Sequence, residues 1–281
     1  MTTSTVPAAM TTSTVWRALV NRRWGFLRSL VVYHGIPWRA LQLRRFYARF
    51  VPAGGLAFDI GAHTGNRVQT FRRLGARVVA LEPQPDLMVW LQQQHGADGN
   101  VALRAEAVGR APGEARLMAS PATPTVATLS RDFVKRAGAS ASFSKVRWEE
   151  GPVVPVTTLD ALIATHGLPD FAKIDVEGFE LEVLMGLSQP LPALSFEFLP
   201  TVRDLALGCI DRLETLAGPA RYRYAVSLGE QLTLLTPQGM TADAMREWLM
   251  QLPPDAPSGD VHAWLPGSHA GGRTVGSGIG G

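Results

Sequence analysis

The sequence predicts a doubly wound α/β domain built on a mostly parallel sheet. Residues 56–82 carry the clearest pattern, because two short apolar runs flank a glycine-containing turn and a helical repeat. A strand, turn, helix and strand in this order are typical of a βαβ unit. Apolar runs continue to alternate with helical patterns, so we expect seven strands, with a ligand at the carboxyl ends of the parallel ones. The expected strands are Leu56–Ile60, Val78–Leu81, Val101–Leu103, Phe171–Val176, Leu194–Phe198, Tyr222–Leu228 and Gln231–Thr236.

The βαβ unit places polar residues where its strands end. Asp59 is in the first strand, and Gly61 and Gly65 mark the turn that follows. Glu82 closes the second strand, 21 residues beyond Gly61. A carboxylate at this position of a βαβ nucleotide site typically accepts hydrogen bonds from ribose hydroxyls.

The carboxyl-terminal part predicts two further features. The last two expected strands flank a Gly229-Glu230 turn, which favours a C-terminal antiparallel hairpin. From Pro253 onward the chain is rich in Pro and Gly, with seven Gly in the last fifteen residues. We therefore expect residues 253–281 to be a disordered tail and residues 51–252 to form the folded domain.

Residues 110–155 predict an insertion within that domain. They are rich in Gly, Pro, Ser and Thr and show little helical periodicity. Glu114–Met118 and Val153–Val156 suit the two strands of an inserted hairpin. A long irregular segment in a compact domain often covers a functional site, although a mobile surface loop is the alternative.

Charge sets the amino-terminal extension apart. Residues 1–50 carry eight Arg and no acid, which gives +8, whereas the remaining 19 basic and 24 acidic residues give −5, for the total of +3. Apolar spacing predicts basic helices over 16–31 and from Trp38 to about Phe50, after about 15 disordered residues. The short apolar faces favour docking on the acidic body. Weak association of residues 16–50 with an anionic membrane surface is the alternative.

Composition limits the class of protein. The 281 residues are 46% hydrophobic, which suits one large core, and no run of about 18 uncharged apolar residues predicts a membrane span. Cys209 is the only cysteine, and no signal-peptide pattern opens the chain, so we expect a cytoplasmic protein. The Arg-rich extension has few aromatic residues spaced for base stacking, which argues against a nucleic-acid partner.

The glycine turn favours a cationic ligand over a dinucleotide. A pyrophosphate site needs Gly-x-Gly-x-x-Gly, but His63 stands where the second glycine would be, and Asp59 precedes the motif. A carboxylate repels a pyrophosphate and attracts a cationic group. S-adenosylmethionine carries an ammonium, a sulfonium and a ribose diol without phosphate, so it fits this turn better than NAD.

Several motifs, taken in order, resemble one known family. FDIGAHTG, ALEPQP, VPVTTLDAL, KIDVEGFELEVLMG and SFEF together resemble the FkbM family of methyltransferases. The resemblance covers about residues 55–200 and excludes residues 1–50 and the tail. It implies a class I, S-adenosylmethionine-dependent methyltransferase fold and methylation of hydroxyls on sugars or natural products.

Five residues are expected to bind the cofactor around this turn. Asp59 is expected to hold the methionine ammonium, and Gly61 and Gly65 allow the backbone to approach closely. Glu82 is expected to accept hydrogen bonds from the ribose diol. Glu106, beyond the third strand, is a candidate acceptor for the adenine amine, with a plain surface carboxylate as the alternative.

The end of the fourth strand supplies the catalytic candidates. Asp175 is favoured as the base that deprotonates a hydroxyl acceptor, with Glu177 binding the acceptor; His63 is a third candidate base. Asp175 and His63 are also expected to lie against the cofactor. The structural alternatives are an ion pair between Lys173 and Asp175 and a helix cap from Glu177.

A metal is not expected, because no ligand cluster has diagnostic spacing. Asp175, Glu177 and Glu197 nevertheless form a candidate all-oxygen Mg²⁺ site.

We therefore predict an S-adenosylmethionine-dependent O-methyltransferase that acts on a hydroxyl of a sugar, glycan or secondary metabolite. One alternative is a nicotinamide-dependent oxidoreductase on a similar βαβ unit. Another is a non-catalytic cofactor-binding scaffold that binds its partner through the basic amino-terminal extension.

Overall fold

This computed structural model describes residues 37–120, 123–137, 146–229 and 231–271. The expected helix at 16–31 and the disorder expected for the first 15 residues lie outside the described residues, as does the tail beyond residue 271. The strands are β1 (Leu56–Ile60), β2 (Arg77–Leu81), β3 (Val101–Arg104), β4 (Ala107–Val108), β5 (Gly113–Ser120), β6 (Thr123–Thr128), β7 (Glu149–Thr157), β8 (Phe171–Ile174), β9 (Ala193–Phe198), β10 (Arg223–Leu228) and β11 (Gly259–Trp264). The helices are α1 (Pro37–Tyr47), α2 (Asn66–Arg73), α3 (Pro85–His95), α4 (Arg131–Ala137), α5 (Leu159–His166), α6 (Glu180–Met185), α7 (Arg203–Ala217) and α8 (Ala242–Gln251).

A seven-stranded sheet forms the centre of the domain, in the order β10-β11-β9-β8-β1-β2-β3. β11 runs antiparallel to β9 and β10, whereas β9, β8, β1, β2 and β3 pair in parallel. The strand order reverses between β1 and β8, which is where doubly wound folds bind ligands. The predicted doubly wound α/β fold is confirmed.

Alternating side chains cover the two faces of this sheet with separate apolar layers. Phe58 and Ile60 of β1 pack on the face covered by helices α5 to α8. Ala57 faces the opposite layer, which helices α1 to α3 cover. Asp59 follows the same alternation as Ala57 and therefore lies on the α1–α3 face. Among the described helices, none is long and apolar enough to cross a membrane.

The second strand of the terminal antiparallel pair is not the one expected. Gln231–Thr236 forms no strand in the described residues, and β10 pairs instead with β11, from Gly259 to Trp264. The tail expected to be disordered from Pro253 therefore contains a central strand. Composition concealed β11, because its short alternating run lies between segments rich in Pro and Gly. Its polar members Asp260 and His262 point into the protein and not into solvent.

The insertion folds into a second sheet with the order β4-β7-β5-β6. The two expected strands are present and pair antiparallel, with Glu114 of β5 opposite Pro155 of β7, but β6 and α4 lie between them in the chain, so they do not form a simple hairpin. The structure adds β6 and the helix α4, which begins where the Ser130 hydroxyl accepts a 3.0 Å hydrogen bond from the Phe133 N–H. Seven helical residues are too few to show a period in the sequence.

Helix α1 belongs to the core of the domain. Its Phe46 and Tyr47 are buried, and Phe50, just beyond it, stacks on Phe171 of β8 at 5.2 Å and on His262 of β11 at 5.3 Å. Burial lowers the pKa of His262 to about 4, so this ring packs as a neutral group. For this part of the extension, docking on the body is what the structure shows.

Replacing Phe50 by Ala should destabilise the protein. Removing a fully buried ring that contacts two strands leaves a cavity, so we expect the free energy of unfolding to fall by about 3–5 kcal/mol. Urea denaturation measures this change. Trp38→Ala is the control, because Trp38 lies on the adjoining helix α1 but is 76% exposed, so its replacement should leave stability unchanged. Equal effects from both variants would contradict the packing described.

Candidate active site

One cleft opens at the carboxyl ends of β1, β2 and β8 and is covered by the second sheet. Of the described residues that line it, five are acidic and one is an arginine. The acidic residues are Glu82, Glu106, Asp175, Glu177 and Glu197, and the cation is Arg67. Apolar side chains complete the wall, among them Leu81, Val108, Leu117, Leu129 and Phe179. The cleft therefore suits a ligand with positive charge and hydroxyl groups.

Gly61 allows the turn after β1 to approach the end of β8. Its φ is +85°, and a Cβ built on it would lie 1.9 Å from the Asp175 carbonyl oxygen. Its N–H also donates to the Leu81 carbonyl at 2.9 Å, so the turn is tied to β2 as well. Any side chain here would separate the two halves of the cleft.

Glu82 lines the cleft with its carboxylate already oriented. One oxygen accepts a hydrogen bond from the backbone N–H of His63, and the other accepts one from the backbone N–H of Gln84, both at 2.9 Å. Burial raises the pKa of Glu82 to about 7 although these hydrogen bonds lower it. The Gln84 side chain also hydrogen-bonds this carboxylate, which has about four acceptor positions, so capacity remains for a ribose hydroxyl.

Asp59 lies behind the turn and does not line the cleft. Its side chain is fully buried, and neither carboxylate oxygen accepts a hydrogen bond from any described residue. Burial raises the pKa of Asp59 to about 6, while the charges of Arg67 and Lys173 lower it. A buried carboxylate without a donor is costly unless a ligand or water supplies one.

The other predicted residues around the turn take different positions. Gly65 does not line the cleft, and its φ of +81° and its contact with Leu91 of α3 account for the glycine. His63 lines the cleft and gives its N–H to Glu82. Glu106 also lines the cleft, but one of its oxygens is paired with Arg104 at 2.5 Å.

Asp175 is held by a lysine buried within the sheet. Lys173 is fully buried, and its Nζ lies 3.2 Å from Asp175 and 2.9 Å from Asp260 of β11. Burial opposes its charge, but the two carboxylates outweigh burial and raise the pKa of Lys173 above its ordinary value. The Lys173–Asp175 ion pair named above as the structural alternative is present.

Three carboxylates converge at the carboxyl ends of β8 and β9. Oxygens of Asp175, Glu177 and Glu197 lie within 4.8 Å of one another. Burial and the nearby Asp175 raise the pKa of Glu177 well above its ordinary range. Burial and the nearby Glu177 likewise raise the pKa of Glu197 well above its ordinary range. Crowded carboxylates of this kind hold a proton near neutral pH or bind a cation.

The side chain of Glu180 stabilises the loop that carries Glu177. Glu180 accepts the N–H groups of Val176 and Gly178, both at 3.2 Å, so Glu180 and not Glu177 satisfies the turn before α6. Glu177 itself has a φ of +52°, a strained conformation for a residue with a side chain.

Sequence reasoning missed two residues of this region, Arg67 and Asp260. Arg67 is in the first turn of α2, where the helix dipole disfavours a cation, and that anomaly was an available signal. Asp260 gave no signal, because its strand was not recognised.

The residues present fit S-adenosylmethionine. Asp59 is buried without a donor, Glu82 is oriented with free lone pairs, and the acidic lining matches an ammonium and a sulfonium. When bound, this cofactor supplies a methyl group activated by the positive sulfur.

Solved structures of several methyltransferases are distantly similar to this chain. A precorrin-6y C5,15-methyltransferase from Geobacter metallireducens is 14% identical, with 81% of this chain and 87% of that one covered and a TM-score of 0.40. A putative O-methyltransferase from Klebsiella pneumoniae is 13% identical, with 89% and 88% covered and a TM-score of 0.39. A putative methyltransferase from Streptococcus mutans in complex with SAH is 11% identical, with 78% and 93% covered and a TM-score of 0.35. Scores this low carry no argument about the acceptor.

No curated protein matches the chain in sequence. The family model described as "Methyltransferase FkbM domain" matches residues 59–201, which is 143 of 281 residues and more than half of the chain. This match spans Asp59, Glu82 and the three converging carboxylates. The chain belongs to the FkbM family of methyltransferases, and its cofactor is S-adenosylmethionine.

Proposed function

We propose that this protein transfers the methyl group of S-adenosylmethionine to a hydroxyl of a sugar, glycan or secondary metabolite. The observation that carries the proposal is the convergence of Asp175, Glu177 and Glu197 in the cleft. A hydroxyl acceptor must lose a proton during methylation, and buried, crowded carboxylates are suited to take it. Methyl transfer itself needs mainly proximity and alignment.

The cofactor is assigned to the side of the cleft formed by β1 and β2. Glu82 accepts the ribose hydroxyls, and Glu106, with one oxygen left by Arg104, accepts from the adenine amine. Gly61 and the backbone of His63 border the cleft between them. Asp59 acts from behind the turn on the methionine ammonium, directly or through water.

The acceptor proton is assigned to Glu177. Asp175, the base favoured from sequence, already forms an ion pair with Lys173 at 3.2 Å. Glu177 has one buried oxygen without a described partner and a raised pKa caused first by burial and then by Asp175. Glu197, which lies beside Glu177, then helps to hold the acceptor by accepting a hydrogen bond from one of its hydroxyls.

The composition of the wall supports a neutral polyhydroxylated acceptor. Carboxylates accept hydrogen bonds from several hydroxyls, while Leu117, Leu129 and Phe179 offer an apolar surface to a ring. An acidic lining, with five carboxyl groups and one arginine among the described residues, disfavours a polyanion, which argues against a nucleic-acid acceptor. The same charge argues against the pyrophosphate of a nicotinamide cofactor.

Replacing Glu82 by Ala should weaken cofactor binding. Losing hydrogen bonds from two ribose hydroxyls to a carboxylate costs about 2 kcal/mol or more, or about thirtyfold in Kd. Calorimetry with S-adenosylhomocysteine measures this loss. Glu114→Ala is the control, because Glu114 is exposed on β5 outside the cleft lining. Equal Kd values for wild type and Glu82→Ala would contradict the assignment of Glu82 to the cofactor.

Cofactor affinity should increase as the pH rises through about 7. Burial raises the pKa of Glu82 to about 7, so at pH 6 the carboxyl is mostly protonated and accepts less well, and at pH 8 it is charged. Asp59 contributes a separate step near pH 6. Calorimetry from pH 5.5 to 8.5 should show both steps, and Glu82→Gln should abolish only the upper one. A flat profile for the wild type would contradict these assignments.

Glu177→Gln should retain cofactor binding and lose methyl transfer. Incubation with methyl-labelled cofactor and a cell extract, followed by identification of the labelled product, measures transfer and also identifies the acceptor. We expect at least a hundredfold slower labelling, because the amide cannot accept the proton. Glu247→Gln, an exposed glutamate on α8, is the matched control. A wild type that binds the cofactor and labels nothing would instead support a non-catalytic scaffold.

A further inference from the structure

Arg67 is the one cationic side chain, arginine or lysine, among the described residues that line the cleft. The cofactor carries positive charge at its sulfonium and ammonium, which the five acidic side chains match. It also carries one negative group, the α-carboxylate of its methionine part. Five carboxylates would repel that group unless a cation meets it.

The guanidinium of Arg67 is held in place by long contacts. Its Nε lies 3.4 Å from the Tyr47 hydroxyl, its Nη1 lies 3.4 Å from the Asn66 side-chain oxygen, and its Nη2 lies 3.8 Å from Asp175. Strong hydrogen bonds from arginine to a carboxylate are 2.7–2.9 Å long and often paired. None of these contacts has that geometry, so the five N–H donors have capacity for a closer anion.

The acids beside Arg67 complete a site for both charges of an amino acid. Asp175 lies 3.8 Å from Arg67, and Asp59 is fully buried with neither oxygen hydrogen-bonded to a described residue. An α-amino acid group presents an ammonium and a carboxylate on adjacent atoms. A cation with one carboxylate in contact and a second close enough to feel its charge matches that arrangement.

We propose that Arg67 binds the α-carboxylate of the methionine part of S-adenosylmethionine, with Asp59 and Asp175 on the side of the ammonium. The inference rests on the cofactor site described above and is independent of the acceptor. Arg67 is thus a residue that recognises the whole amino acid and not only the nucleoside. The competing role for Arg67 is purely structural, as a partner of Asp175 and Tyr47.

The test compares two ligands that differ by one carboxylate. Calorimetry measures binding of S-adenosylmethionine and of decarboxylated S-adenosylmethionine to wild type and to Arg67→Gln. We expect wild type to prefer S-adenosylmethionine by about tenfold to a hundredfold, the range for hydrogen bonds to a charged group. Arg67→Gln should lose that preference, while its affinity for the decarboxylated ligand stays within about threefold of wild type.

Two further variants separate recognition from folding. Arg67→Lys keeps the charge without the planar fork and should keep part of the preference. Arg73→Gln removes the same charge from an exposed position on the same helix and should match wild type. Equal weakening of both ligands by Arg67→Gln would overturn the proposal and assign Arg67 the structural role. A wild type without preference for the carboxylate would overturn it as well, and a wild type that binds neither ligand would overturn the cofactor assignment along with it.

Discussion

The site depends on the compensation of one buried charge, the ammonium of Lys173. This residue is fully buried in the middle of the sheet, where an unpaired charge is not tolerated. Asp260 of β11 and Asp175 at the end of β8 both contact it. Removing one partner of such a buried pair typically costs about 3–5 kcal/mol, so the arrangement is maintained as a unit. The unit fixes Asp175 at the edge of the cleft.

The polar residues around Lys173 follow from strand register. Asp59 of β1 lies directly opposite Lys173 of β8, which lies opposite Ser195 of β9, which in turn lies opposite His262 of β11. All four side chains point to the α1–α3 face, beneath the aromatic residues of α1. The charge of Lys173 on the neighbouring strand and the charge of Arg67 on α2 both lower the pKa of Asp59, against the larger effect of burial.

The insertion packs closely against the loop that carries Glu177, and the contact is at Gly178. A Cβ on Gly178 would lie 2.1 Å from the ring of Phe133, which α4 of the insertion packs against the loop that carries Glu177. Gly61 makes a comparable close approach to Asp175 from the cofactor side. The loop from residue 175 to 178 is thus held from both sides, which explains why the proposed acceptor and cofactor groups share one short segment.

The sequence predicts the parts of this site that repeat locally. The βαβ period and the spacing from Gly61 to Glu82 place a carboxylate at the end of β2, and the segment from Lys173 to Glu177 indicates the opposite wall of the cleft. The sequence alone does not predict contacts between segments that are far apart in the chain. Asp260 meets Lys173 across 87 residues, from a strand concealed by the composition around it. Arg67 gave only a local anomaly, and its position beside Asp175 depends on how α2 packs over the sheet.

A crystal structure of the protein with S-adenosylhomocysteine tests the central claim most directly. The account predicts the ribose diol on the carboxylate of Glu82, the methionine carboxylate on Arg67, and the sulfur directed towards Asp175 and Glu177. A ligand bound with its ribose away from Glu82, or outside the cleft at the carboxyl ends of β1, β2 and β8, would contradict it.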